Sequence, residues 1–121
     1  MTRRTMQIGK TGEKQAARYL ESNGVAVLTM NYYTPYGEID IIGKKGDLLI
    51  FCEVKTRTSR KYGFPEESIT AKKRNALINS SLFYLQENDL LDSFWRIDVI
   101  SILKKGNVMQ YDWIENAITS E

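Results

Sequence analysis

Two short acidic segments have the residue types and spacing of a metal-dependent phosphodiesterase site. They are Glu38-Ile39-Asp40 and Glu53-Val54-Lys55, on consecutive apolar stretches, with Glu53 thirteen residues after Asp40. Side chains alternate between the two faces of a strand, so Glu53 and Lys55 share a face. Magnesium and manganese bind hard oxygen ligands and take further oxygens from substrate phosphates. We therefore predict a Mg²⁺ or Mn²⁺ site with Asp40 and Glu53 as ligands, to which the Val54 carbonyl can add a third oxygen.

The absence of histidine narrows the chemistry that this site can perform. It excludes Ser-His-Asp triads, Cys-His pairs and zinc sites of the HExxH type, so hydrolysis must depend on carboxylates, lysine and a metal. We expect a water activated by the metal to act as the base. Lys55 would orient that water or stabilise the charge that builds on the phosphate. Cys52, the single cysteine, lies in an apolar stretch and indicates a small buried residue rather than a nucleophile.

Three further acidic residues have a structural explanation as well as a functional one. Glu13 lies in the first turn of a predicted helix, where the helix dipole alone favours a glutamate. It would add a carboxylate to the site if that helix packs beside the strands. Glu38 is either an accessory ligand or a solvated strand residue. Asp98 is either a site residue or the ion-pair partner of Arg96.

Basic residues surround the acidic segments along the chain. Residues 1–84 carry 14 Lys/Arg against 8 Asp/Glu, whereas residues 85–121 carry 3 against 7. A basic surface around an acidic pocket suits a polyanion that approaches a bound cation. A basic run on a helix is usually a solvated face, but at the helix N-terminus it opposes the dipole and favours a bound anion. We predict nucleic-acid contacts by Arg57, Arg60, Lys61, Lys72 and Lys73.

Hydrophobic periodicity and turn residues predict elements in the order α-β-β-β-α-β-β. The predicted helices cover 11–23, with Thr11 as N-cap, and 70–87, with an apolar core stripe of Leu77, Ile78, Leu82 and Leu85. The predicted strands cover 25–33, 37–43, 48–57, 95–103 and 107–113. This order implies an α/β fold with a mixed sheet of about five strands flanked by helices. The length fits one domain over residues 1–121, with a core at about 8–118.

The Gly46-Asp47 turn decides whether the two acidic segments meet. In a two-residue hairpin loop, Asp40 lies directly opposite Glu53, with Cβ atoms about 4.5–5.5 Å apart. A four-residue loop sets Glu38 opposite Glu53 instead, still on one face. A three-residue loop puts the carboxylates of the two strands on opposite faces. If they do meet, the alternative to a metal site is an ion-pair network on the hairpin surface.

The ordered motifs resemble a known family. Asp40, Glu53 and Lys55, on a hairpin that follows a glutamate-bearing helix, resemble the PD-(D/E)xK nuclease superfamily, with Ile39 in place of the proline. From Ile8 to Ile118 the chain looks more narrowly like the YraN family of small bacterial proteins, which is regarded as a predicted endonuclease relative of the archaeal Holliday junction resolvases. The residues that carry this likeness are Gly12-Glu13, Ala17, Tyr19-Leu20, Asn31, Gly37-Glu38-Ile39-Asp40, Glu53-Val54-Lys55-Thr56-Arg57, Lys72, Tyr84-Leu85, Arg96-Ile97-Asp98-Val99 and Asn116-Ala117.

The resemblance implies a restriction-endonuclease-like fold and a Mg²⁺- or Mn²⁺-dependent endonuclease that acts on DNA, including branched, Holliday-junction-like DNA. It implies Glu13, Asp40 and Glu53 as metal carboxylates. It also implies Lys55 as the catalytic lysine and Lys72 as a candidate DNA contact. The resolvase likeness suggests a homodimer, since symmetric cutting of two strands needs paired sites.

Two other function classes fit the same chain. One is a non-catalytic nucleic-acid-binding module that keeps the nuclease fold. The other is a structural or dimerisation domain whose acidic C-terminal part, near Phe94, Trp95 and Trp113, docks a protein.

No apolar run has the length that spans a bilayer, and the first residues lack the apolar segment of a secretory signal. We therefore expect a cytoplasmic protein with no membrane contact and no small-molecule cofactor.

Overall fold

The structure is a computed structural model that describes residues 3–58 and 69–119. Two helices and five strands follow one another in the predicted order within these residues. They are α1 (Arg3–Ser22), β1 (Ala26–Thr34), β2 (Gly37–Lys45), β3 (Leu48–Arg57), α2 (Ala71–Glu87), β4 (Phe94–Lys105) and β5 (Val108–Ile118). The predicted α/β class is confirmed. Neither helix has an apolar stretch long enough to cross a membrane within the described part of the chain.

The five strands form one mixed sheet in the order β1-β2-β3-β4-β5. Neighbouring strands are antiparallel except for β3 and β4, which are parallel. Parallel neighbours need a crossover connection, and α2 provides it between these two strands. The order of elements along the chain therefore accounts for the one parallel pair in the sheet.

Each helix packs on its own face of the sheet. Ala16 and Leu20 of α1 lie in a buried cluster with Ile50 and Cys52, whereas the α2 residues Leu77 and Leu85 lie in a cluster with Leu49 and Phe51. Residues of β3 thus alternate between two cores, as the two-residue period of a strand requires. Cys52 is fully buried, and burial raises the pKa of its thiol, so it behaves as a small hydrophobic residue.

The hairpin of β2 and β3 has the two-residue loop of the first sequence alternative. The ladder pairs Lys45 with Leu48 and continues in register to Ile41 and Cys52. Gly46 in the turn has a φ of +59°, a conformation in which a side chain is unfavourable. The four-residue and three-residue loops are therefore excluded, and Asp40 and Glu53 are the next residues on their strands beyond the ladder.

The first helix is longer than predicted, and Thr11 is not its N-cap. α1 begins at Arg3 and passes through Thr11 and Gly12. Glycine lowers helix propensity, and for that reason the sequence pattern starts the predicted helix too late. In the folded protein Gly12 packs against β3, where an added Cβ would come within 2.4 Å of the Thr56 hydroxyl oxygen. Tertiary packing thus favours a glycine inside this helix.

The buried stripe of α2 also differs from the prediction, and Leu82 is not a core residue. Leu82 is 39% exposed, and the buried positions are Leu77, Ser80, Ser81 and Leu85. The Ser80 hydroxyl hydrogen-bonds that of Thr34 on β1 at 2.8 Å, and the Ser81 hydroxyl donates to the Leu77 carbonyl at 2.8 Å. Because their hydroxyls are hydrogen-bonded, Ser80 and Ser81 can be buried. The buried face of α2 is therefore rotated about the helix axis relative to the predicted stripe, and Leu82 faces solvent.

Candidate metal centre

The candidate site lies where the paired part of the β2–β3 hairpin ends. Beyond the Ile41–Cys52 pair, the Val54 backbone N–H donates a 2.8 Å hydrogen bond to Asp40 Oδ2. The N–H and C=O of one residue in a strand point towards the same neighbouring strand. The Val54 carbonyl therefore also faces β2, the strand that carries Asp40.

The backbone of β1 and β2 is distorted at the same level. Asn31 has a φ of 54°, which is uncommon for a residue other than glycine. The flanking pairs are Met30 with Ile41 and Tyr32 with Ile39. Ile39 packs in the core on the α2 face, whereas Ile41 packs in the core on the α1 face. Between Ile39 and Ile41 the side chains of β2 thus switch from one face of the sheet to the other, and Asp40 lies at this switch. Asp40 belongs to neither hydrophobic core.

Carboxylates from two elements converge at this point. Glu13 on α1, Glu38 on β2 and Asp40 on β2 each have an oxygen within 4.8 Å of the others. Glu13 lies well inside α1, which begins at Arg3, so the helix dipole does not explain a glutamate there. The contact between Gly12 and Thr56 brings this part of α1 close to β3.

Glu53 adds a fourth carboxyl on the adjacent strand. It is buried, and its Oε2 atom has no hydrogen-bond partner among the described residues. Its Oε1 atom lies 3.9 Å from the Lys55 Nζ and 3.7 Å from the Lys73 Nζ. Lys55 approaches from the same strand and Lys73 from the first turn of α2. A carboxyl group with an unused buried oxygen can accept a cation or a proton, while the two nearby ammonium groups favour its charged form.

Burial raises the pKa values of three carboxyls in this cluster, and the charge of Asp40 adds to the rise at Glu53 and Glu38. Burial, followed by the charge of Asp40, raises the pKa of Glu53 from 4.5 to about 7. Burial also raises the pKa of Asp40, although the Val54 N–H and the Lys73 and Lys55 charges oppose the rise. The pKa of Glu38 is raised by burial and then by Asp40. Raised carboxyl pKa values are typical of functional sites. A bound cation would favour the charged form of these buried carboxyls.

The predicted nucleic-acid contacts occupy different positions relative to this cluster. The Lys73 ammonium lies beside Glu53, closer to the carboxylates than the sequence alone indicated. Lys72 is exposed in the first turn of α2, and Arg57 is half-buried at the end of β3. Arg60 and Lys61 lie outside the described residues. From the sequence, Glu38 was either an accessory ligand or a solvated strand residue. The feature that indicates a ligand is its spacing of two residues from Asp40 on the same strand.

Asp98 has the structural role that was its alternative explanation. It is fully buried and accepts hydrogen bonds from the Arg96 Nε at 3.0 Å, the Trp113 Nε1 at 2.8 Å and the Asn116 backbone N–H at 2.8 Å. The Trp113 and Asn116 donors hold β4 against β5. The bond to Asn116, which has a φ of 52°, lies in the part of β5 beyond its predicted end at Trp113. Its oxygens are thus used within the fold, and Asp98 is not a candidate metal ligand.

Comparison with known proteins gives one consistent group of relatives. Residues 12–102 match the uncharacterised protein family UPF0102. A UPF0102 protein of Sulfurihydrogenibium sp. is 44% identical over 115 residues, covering 95% of this chain and 96% of the relative. One of Dictyoglomus turgidum is 41% identical over 113 residues, covering 92% and 96%, and one of Clostridioides difficile is 45% identical over 94 residues, covering 78% and 82%.

Proposed function

Since this chain belongs to UPF0102, the YraN family, whose description names no activity, we propose from the site itself that the protein is a metal-dependent endonuclease. It would hydrolyse phosphodiester bonds in DNA, including branched DNA. The main support is that oxygens of Glu13, Glu38 and Asp40 lie within 4.8 Å of one another, beside a buried Glu53. The resemblance of the same residues to the PD-(D/E)xK nucleases adds support.

The residues at the end of the hairpin fit a Mg²⁺ or Mn²⁺ ion. All the candidate ligands are oxygens, which these hard cations prefer. The unpartnered Glu53 Oε2 and the raised pKa values of Asp40 and Glu53 indicate a site that gains from a positive charge. We assign Glu13, Asp40, Glu53 and the Val54 carbonyl as ligands, with Glu38 as an accessory carboxylate. A bound ion would supply activation of the attacking water and neutralisation of charge on the phosphate.

The remaining chemistry falls to the chain's own side chains. Lys55 shares a face with Glu53 and holds its ammonium 3.9 Å from that carboxylate. A phosphate in the site would therefore meet a fixed positive charge, which stabilises the extra negative charge of the transition state. Lys73 reaches the same carboxylate from α2 and can contact the substrate phosphate from the other side. The Val54 N–H fixes the Asp40 carboxylate at 2.8 Å, so this ligand is oriented before any ion arrives.

A cleavage assay with matched variants tests this function. The protein would be incubated with labelled duplex, single-stranded and four-way-junction DNA in Mg²⁺, Mn²⁺ or EDTA. Asp40→Asn removes a ligand charge with little change of shape, and Lys55→Ala removes the ammonium. We expect each variant to lower the cleavage rate about 100-fold or more, the scale of losing one transition-state stabiliser. Asp47→Asn, in the exposed turn of the same hairpin, is the control and should cleave like the parent.

The result also separates the proposal from the non-catalytic alternative. Equal cleavage by the parent and Asp40→Asn would contradict the assignment of the site. DNA binding without turnover in either metal would instead identify a binding module. Calorimetric titration with Mn²⁺ provides an independent measure, since the parent, Asp47→Asn and Lys55→Ala keep all the assigned ligands and should bind the ion, whereas Asp40→Asn should bind it weakly.

A further inference from the structure

An exposed tyrosine lies beside the carboxylate cluster. Tyr33 on β1 is directly opposite Glu38 on β2, and opposed residues of antiparallel strands share a face with Cβ atoms about 4.5–5.5 Å apart. Glu38 in turn has an oxygen within 4.8 Å of those of Glu13 and Asp40. The ring of Tyr33 is 73% exposed, so it contributes little to the core. A single exposed aromatic residue is ordinary, but this one adjoins the candidate site.

The backbone around Tyr33 is held firmly from the other face of the sheet. Its neighbour Tyr32 packs edge-on against Tyr84 of α2, with ring centroids 5.2 Å apart. Because side chains alternate along a strand, Tyr33 is directed to the opposite face. The Thr34 hydroxyl contacts the Ser80 hydroxyl at 2.8 Å and accepts from the Tyr36 backbone N–H at 3.0 Å. The ring is therefore presented near the end of a strand whose position α2 fixes.

We propose that the Tyr33 ring stacks on an unpaired nucleobase of the DNA strand whose phosphate occupies the carboxylate site. This inference rests on the proposed function and adds a substrate preference to it: DNA with unpaired nucleotides next to the bond to be cut. An exposed aromatic face accepts any base, because every base has a π-face, whereas paired bases inside a duplex are already stacked. The ring adjoins the carboxylate site itself, so the base that it meets belongs to a nucleotide at or beside the scissile phosphate.

Fluorescence of 2-aminopurine tests the contact without turnover. Oligonucleotides carrying 2-aminopurine at single positions, as single strands and as duplexes, would be titrated with protein in Ca²⁺, a cation that commonly supports binding without cleavage. We expect quenching of one position in the single strand by the parent and by Tyr33→Phe. In Tyr33→Leu that quenching should disappear and single-strand affinity should fall about tenfold, the scale of losing one stacked base, while duplex affinity stays unchanged.

Tyr36 provides the matched control. It lies in the turn that follows β1, is also exposed, and packs edge-on towards Phe83 of α2 at 6.4 Å, so it faces away from the cluster. Tyr36→Leu should keep both the quenching and the single-strand affinity. Both tyrosines are exposed, so neither substitution should unfold the protein.

The stacking proposal is overturned if Tyr33→Leu quenches and binds like the parent, or if it weakens single-strand and duplex binding equally. The cleavage assay keeps this failure distinct from failure of the proposed function. A protein that cuts DNA in Mn²⁺ but shows no Tyr33-dependent quenching is a nuclease without the stacking contact. A protein that shows the quenching but never cuts binds unpaired bases and is not a nuclease.

Discussion

Among the carboxyls of the site, Glu53 shows most clearly how the fold raises a side-chain pKa. Its carboxyl is buried beside Asp40, and its pKa is raised from 4.5 to about 7. A carboxyl with a raised pKa binds its proton more tightly in the folded chain than in the unfolded chain. Between pH 4.5 and 7 the free energy of unfolding therefore falls as pH rises, by up to about 3 kcal/mol for this group, and above pH 7 the loss is complete.

Replacing Glu53 should stabilise the metal-free protein. Glu53→Gln cannot ionise, so in EDTA at pH 8 we expect it to unfold about 1–3 kcal/mol less readily than the parent, with little difference near pH 4.5. Mn²⁺ should stabilise the parent and have little effect on the variant. Urea unfolding at both pH values measures this, and Glu21→Gln, exposed on α1, is the control. A variant less stable than the parent at pH 8 would mean that Glu53 supports the fold rather than a site.

At the scale of elements, the position of α1 on β3 decides whether Glu13 reaches the hairpin. Gly12 lies so close to β3 that a Cβ there would meet the Thr56 hydroxyl oxygen at 2.4 Å, with the Thr56 Cβ at 3.5 Å. A methyl group at position 12 must therefore displace the helix or the threonine side chain. Displacement of the helix should separate Glu13 from Glu38 and Asp40.

A double mutant isolates this contact. Gly12→Ala should lower stability by about 1–3 kcal/mol through overpacking and weaken Mn²⁺ binding, despite the higher helix propensity of alanine. Thr56→Ala removes the clashing oxygen, so the double variant should recover most of both losses. Denaturant unfolding and calorimetry measure the two effects. If Gly12→Ala alone binds Mn²⁺ like the parent, the helix position is not what brings Glu13 into the site.

Across the whole molecule, the charge is divided along the chain. The net charge of +2 combines an excess of basic residues before position 85 with an excess of acidic residues after it. Lys72 and Lys73 of the basic part lie in the first turn of α2, and Lys73 contacts Glu53. Lys44 is exposed near the turn at the other end of the β2–β3 hairpin. A phosphate backbone drawn to the site should therefore release counterions near Lys72 and not near Lys44.

The salt dependence of DNA binding tests this distribution. Plotting the logarithm of affinity against that of salt concentration gives a slope that reports phosphate contacts. We expect Lys72→Ala to reduce its magnitude by about 1 and to weaken binding to all sequences alike, whereas Lys44→Ala should leave it unchanged. Equal changes in the two variants would show that DNA is attracted by overall charge and not held at the α2 end.

The sequence by itself determined the order of the elements and the geometry of the central hairpin. Alternation along 48–57 separates Glu53 and Lys55 from Ile50 and Cys52, and the Gly46-Asp47 turn favours a two-residue loop. Both signals are local, because side-chain period and turn conformation depend on a few neighbouring residues. Such signals were sufficient to bring Asp40 and Glu53 to the same end of the hairpin.

Only the tertiary structure decided how the helices meet that hairpin. The start of α1, the exposure of Leu82 and the approach of Lys73 to Glu53 all differ from, or go beyond, what local patterns indicate. Each depends on the fit between distant residues, such as Gly12 against Thr56 or Ser80 against Thr34. The gathering of Glu13, Glu38 and Asp40 follows from these fits, since the volume and polarity of a packing partner are not written in the periodicity of either segment.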